Sequence, residues 1–261
     1  MVMKKKVFGL LLAFFLSLGF LNNLWAIEGV TVDDTGADET VITLKVELCP
    51  DPVDDPATEE KEGLTKEEVQ TFIDERIKRV TEIWNSCGSK LRLKPGAPEK
   101  RIRFVFDVVV LDDCKAPKDP MKKRVKVHPG DPPKEKNADA ANFWETNNAR
   151  TIAHEFGHLM GLGEEYSANP KGPTRENLMG RPPFTKVLKY HLATILFTYQ
   201  GDPDKKELER RRLMKMLLRK ADQDEARKIA EQNDITKEQY DAYADMFKAN
   251  DTEIQPDRPG E

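Results

Sequence analysis

The chain has 261 residues, of which 38% are hydrophobic and 34% charged, and a formal net charge of −4. That length can bury a good core, as one larger domain or as one domain with an appendage. The balance is mildly acidic with no global basic excess, so it gives no support to nucleic acid as a partner, and interspersed charges leave the substrate undefined.

The N-terminus has the make-up of a secretory signal. Lys4, Lys5 and Lys6 precede an apolar run from Val7 to Leu21, and Ala26 offers a cleavage site. The run is shorter than the roughly 20 residues a spanning helix needs, so removal at 1–26 is expected, with no stable membrane insertion afterwards. The mature chain would start near Ile27 and be exported, to the periplasm or the exterior. It would carry Cys49, Cys87 and Cys114, of which two can pair. No CxxC spacing is present to suggest a cysteine zinc knuckle.

Thr40 to Leu48 alternates apolar and polar residues and predicts a strand. Cys49 to Gly63, rich in Pro, Asp and Glu, reads as an exposed loop. Leu64 to Ser86 repeats Val69, Phe72, Ile73, Ile77, Val80 and Trp84 at helical spacing. Thr65 and Glu68 form a capping box at its start, and Cys87-Gly88 closes it. Arg101 to Asp112 turns continuously apolar, which predicts a buried central strand. Lys122 to His128 alternates with basic residues on one face and reads as an edge strand. Asn137 to Asn148 leads into the next helix, with Phe143 and Trp144 placed to pack under it.

That helix carries the chemistry: Ala149-Arg150-Thr151-Ile152-Ala153-His154-Glu155-Phe156-Gly157-His158, then Leu159-Met160-Gly161-Leu162-Gly163-Glu164-Glu165-Tyr166. His154 and His158 fall one turn apart on one face, so two imidazoles can reach one tetrahedral zinc. Glu155 points about 100° away around the helix, which suits contact with a coordinated water better than with the metal. Ile152, Phe156 and Leu159 make a face for burial. Gly161 accepts the left-handed conformation that reverses the chain and lets a third ligand come back under the metal.

Downstream, Ser167 to Asn177 is a polar loop, followed by Asn177-Leu178-Met179-Gly180-Arg181 and a helix from Phe184 to Gln200. Lys205 to Asp222, Glu225 to Gln232 and Ile235 to Ala249 read as charged helices packed on the preceding domain. Asn250 to Glu261 reads as a disordered tail. His128 is expected at the surface and His191 on a helix face.

With Gly161 and Met179 included, HEFGHLMGLGE and NLMG resemble the signature and Met-turn of the metzincin zinc peptidases. The resemblance covers 40–200 in layout, but its specific residues lie between His154 and Met179. It implies an α+β, zincin-like fold: a twisted mixed sheet, a long backing helix and an active-site helix over 27–200, with 201–249 as a helical extension. It implies His154, His158 and Glu164 as Zn2+ ligands, Glu155 as general base and Met179 as an apolar floor. Glu stands in the third-ligand place where the family has His or Asp, and Glu165 is an alternative. Arg181 stands where several members carry tyrosine; Tyr166 and Tyr190 are other candidates for that role.

The implied activity is a secreted zinc endopeptidase acting on protein or peptide, with substrate extended along an edge strand, for which 122–128 is the candidate. The rival expectations are an exported zinc-containing scaffold without turnover, and a zinc hydrolase of non-peptide amides.

Overall fold

The structure is a computed structural model that describes residues 29–51, 63–92, 97–132, 138–163, 176–180, 182–201, 203, 205–218 and 222–249. The N-terminal stretch read as a signal, most of the acidic loop, Glu164, Glu165, Tyr166, Arg181 and the C-terminal tail lie outside the described residues.

The architecture is α+β. Six strands, β1 (Val30–Asp33), β2 (Glu39–Pro50), β3 (Lys90–Leu91), β4 (Lys100–Val110), β5 (Lys123–His128) and β6 (Asn142–Trp144), form one mixed sheet. Its order is β3-β4-β2-β5-β6. β2 is the centre: it runs parallel to β4 along one edge, while its other edge pairs first with antiparallel β1 and then with parallel β5. Ile42, Leu44, Val46 and Leu48 alternate down one face of β2 and are fully buried. That period of two is what a half-covered strand requires.

The covering layer is α1 (Lys66–Asn85) and α2 (Ala149–Leu159). α1 begins as its sequence dictates: Thr65 Oγ1 accepts the Glu68 amide, and Glu68 Oε2 accepts the Thr65 amide at 2.7 Å. Its stripe of Val69, Phe72, Ile73, Val80, Ile83 and Trp84 is buried, while Ile77 is only partly so. An aromatic seam joins the layers. Trp84 lies 4.9 Å from Phe104 between ring centroids, Phe106 5.1 Å from Phe156, and Phe143 6.2 Å from Phe156. Such tilted pairs add about 0.5–1.5 kcal/mol each beyond the area they bury.

Two expectations about the sheet are corrected. β4 is neither central nor buried on both faces: among the described residues its only other neighbour is two-residue β3, and Arg101, Arg103 and Asp107 face solvent. Nor is β5 an edge strand, because Lys126, Val127 and His128 pair with Asn142, Phe143 and Trp144 of β6. A three-residue strand has too little length for its alternation to register in the sequence.

The connection 111–122 joins parallel β4 and β5 across β2. The Cys49–Cys114 disulfide fastens it to the end of β2, and Cys87 is a free thiol. Arg124 fastens it again, donating to Ala116 O at 2.5 Å and Pro117 O at 2.9 Å while pairing with buried Glu47 at 2.6 Å. Glu47 is thus buried as a charge only because it is paired and hydrogen-bonded.

After the site helix the chain continues as α3 (Lys189–Tyr199), α4 (Lys205–Leu218), α5 (Gln223–Gln232) and α6 (Lys237–Ala249). α3 starts later than the sequence predicts, because Pro182 and Pro183 are followed by extended chain to Leu188. α4 packs on the rest of the chain, with Leu208, Met214, Leu217 and Leu218 buried. Among the described residues no helix is long and apolar enough to cross a membrane.

Candidate metal centre

α2 is held at its start, middle and end. Asn148 caps it, its side chain accepting the Thr151 amide at 3.0 Å. Arg76 of α1 fixes the approach by donating to Asn147 O at 2.8 Å and Glu145 O at 3.2 Å. In the middle, Trp84 Nε1 donates to Ala153 O at 3.0 Å. At the end Gly161 adopts φ +84°, which L side chains rarely accept, and the Leu162 amide returns to Gly157 O at 3.0 Å. Lys215 of α4 donates to Gly161 O.

Ile152 and Phe156 are fully buried and Leu159 nearly so, as the spacing predicts. The other face brings His154, Glu155 and His158 into one group whose donor atoms all lie within 4.8 Å of one another. His154 and Glu155 are buried and His158 is partly exposed. The two rings stand nearly perpendicular, 85°, with Nε2 to Nε2 at 3.0 Å. Glu155 Oε1 is 3.9 Å from His154 Nε2, too far for a hydrogen bond and near enough for attraction to a shared cation.

Carbonyls set the tautomers. His154 Nδ1 meets Leu178 O at 2.8 Å and His158 Nδ1 meets Leu162 O at 3.0 Å. A carbonyl oxygen only accepts, so both Nδ1 atoms carry the proton, and in the neutral rings both Nε2 atoms present lone pairs. Two such lone pairs repel each other and together attract a cation. Nitrogens bound at about 2.0–2.1 Å to one ion at a tetrahedral angle stand about 3.3 Å apart, close to the spacing here. His154, His158 and a carboxylate therefore fit a divalent ion. The first-choice third ligand, Glu164, and its alternative Glu165 lie outside the described residues.

The segment 177–180 closes under α2. Asn177 is buried, and its Oδ1 accepts the Met179 amide at 2.8 Å and the Gly180 amide at 3.0 Å. Leu178 and Met179 are fully buried. Met179 lies so close to α2 that a Cβ on Gly157 would overlap its sulfur and sit 3.0 Å from its Cε. The sequence placed Met179 near the site but gave no role to Asn177, the Leu178 carbonyl or Arg150. Asn immediately before an apolar pair that a Gly follows was the available signal for such a turn.

Of the remaining histidines, His191 lies on a helix as expected, whereas His128 is not at the open surface. His128 is half-buried rather than superficial, stacked on Trp144 at 5.0 Å and bonded through Nε2 to Asn142 Oδ1 at 2.9 Å. His191 is fully buried, and its Nδ1 accepts the Leu188 amide at 3.2 Å at the start of α3. Tyr190 packs against Phe247, 6.5 Å between centroids, in the C-terminal helices. Among the described residues His154, Glu155 and His158 are the only such cluster of metal-binding side chains. Comparison with protein-family models, with curated proteins and with solved structures returns no significant match.

Proposed function

We propose that this protein is an exported zinc-dependent endopeptidase of metzincin type. The observation that carries the reading is the convergence of two Nδ1-anchored histidines on one point with a carboxylate beside them. The buried turn at 177–180 beneath the site helix supports a Met-turn, and the sheet with its backing helix α1 supports a zincin-like layout. The Cys49–Cys114 disulfide favours an oxidising compartment, in keeping with the N-terminal signal read from the sequence.

His154 and His158 would hold zinc through Nε2, with Glu164 as the third ligand. Zinc bound there acts as a Lewis acid and makes water a competent nucleophile near pH 7. Glu155 takes the proton from the attacking water on its carboxylate and returns it to the leaving amine. The carbonyls of Leu178 and Leu162 keep both imidazoles in the ligating tautomer and aim them, which lowers the reorganisation needed on binding metal. Burial of Glu155 keeps bulk water from competing for its proton.

Zinc-loaded protein should clear casein or gelatin, a chelator should stop it, and added zinc should restore it. Glu155→Ala should retain zinc and lose about 100- to 10,000-fold in turnover. Zinc binding without hydrolysis of any protein would favour the scaffold or the non-peptide hydrolase; absence of zinc binding would remove the reading.

A further inference from the structure

His154 and Arg150 lie one turn apart on α2, and both reach the same atom. Leu178 O accepts His154 Nδ1 at 2.8 Å and Arg150 Nη2 at 3.0 Å, one donor for each lone pair. Arg150 goes further: Nη2 also donates to Gly180 O at 2.5 Å, and Nε to Phe184 O at 3.1 Å. A single side chain therefore grips three carbonyls of the segment that runs beneath the helix. Asn177 fixes that turn from within through the amides of Met179 and Gly180. Arg150 fixes it to the helix that bears the histidines. Without that grip the Leu178 peptide is tied to α2 through the imidazole it is meant to orient.

We propose that Arg150 is a positioning residue for His154, holding the Leu178 carbonyl so that the ring is kept as the Nδ1–H tautomer with Nε2 turned toward His158. The planar fork of a guanidinium can span several carbonyls, whereas a lysine ammonium is a point donor on a flexible stem. His158 supplies an internal reference, because its Nδ1 is held by Leu162 O, which Arg150 does not touch. The tautomer part of this inference stands without a metal. Its consequence for zinc rests on the proposed function.

The test uses the full chain labelled with 15N-histidine, metal-free, and reads the ring nitrogens by long-range proton–nitrogen correlation. In the unaltered protein His154 and His158 should both carry the proton on Nδ1. In Arg150→Met, His154 should show at least a several-fold rise in the Nε2–H form while His158 is unchanged, and zinc affinity should fall about 10- to 100-fold. Arg150→Lys should lie between the two, and it serves alone, with the same spectra, if Arg150→Met does not fold. A His154 tautomer unchanged in the variant would overturn the proposal, whatever happens to the melting temperature. So would His154 and His158 shifting together, which is general loosening, or a His154 that lacks the Nδ1 proton to begin with. If the protein binds no zinc, the proposed function fails while the tautomer comparison still decides the role of Arg150.

Discussion

The sheet half of the molecule and its C-terminal helices are held together by different means. In the sheet half, distant segments are fixed mainly through backbone, by a central strand paired on both edges and by side-chain donors aimed at loop carbonyls, with one disulfide added. In the C-terminal helices the fixed points are side chains. Glu207 of α4 accepts Arg210 Nη1 and Arg211 Nε, each at 2.9 Å, and the Tyr243 hydroxyl at 3.0 Å. Arg211 then reaches Gln200 O at 2.5 Å, and Tyr243 meets Phe197 edge-on at 4.4 Å. The backbone-held half carries the candidate chemistry, where ring placement must be kept within fractions of an ångström.

The largest effect expected from breaking this contrast is at the disulfide. Replacing Cys49 and Cys114 together by Ala should lower stability by about 2–5 kcal/mol in urea unfolding, because it frees a long connection in the unfolded chain. A loss under about 1 kcal/mol would mean that Arg124 and the β ladder already hold the loop. Next is Gly157→Ala, which pushes a methyl into Met179 within a filled core. It should cost about 1–3 kcal/mol and reduce metal affinity as the turn is displaced; a neutral result would mean that Met179 has room to swing aside.

The smallest effect sharpens the other side of the contrast. Partial burial pushes the Glu207 carboxyl up, but hydrogen bonds from Arg211, Tyr243 and Arg210 outweigh it and hold it below its ordinary value of 4.5. A depressed carboxyl contributes stability above its unfolded value and loses it as pH falls through the folded one. Glu207→Gln should therefore cost at most about 1 kcal/mol near neutral pH and flatten the acid side of the stability profile, with metal affinity unchanged. An unchanged acid limb would show that the hub contributes nothing.

What the sequence made legible was local. The Thr65–Glu68 box, the stripe of α1 and the turn at Gly161 each depend on residues within a few positions, and each is where the spacing placed it. The convergence of His154 and His158 was legible for the same reason, since one helical turn sets it. Pairing across the sheet was not. β5 carries lysines suited to an edge, yet β6 covers part of it, and so short a strand leaves no pattern to find. The hold on the histidine rings was hidden for a different reason: Leu178 and Leu162 act through carbonyls, which every residue possesses and no side-chain pattern announces. The run of valines in β4 suggested burial on both faces, while the structure leaves Val109 36% exposed.

Trp84 has a use beyond packing. Its indole is buried, donates to the Ala153 carbonyl beside His154, and lies against Gly157 where Met179 approaches. Emission from that ring, read in a chain whose Trp25 and Trp144 are replaced by Phe, should report on the seating of the site helix and on occupancy of the centre without any attached dye.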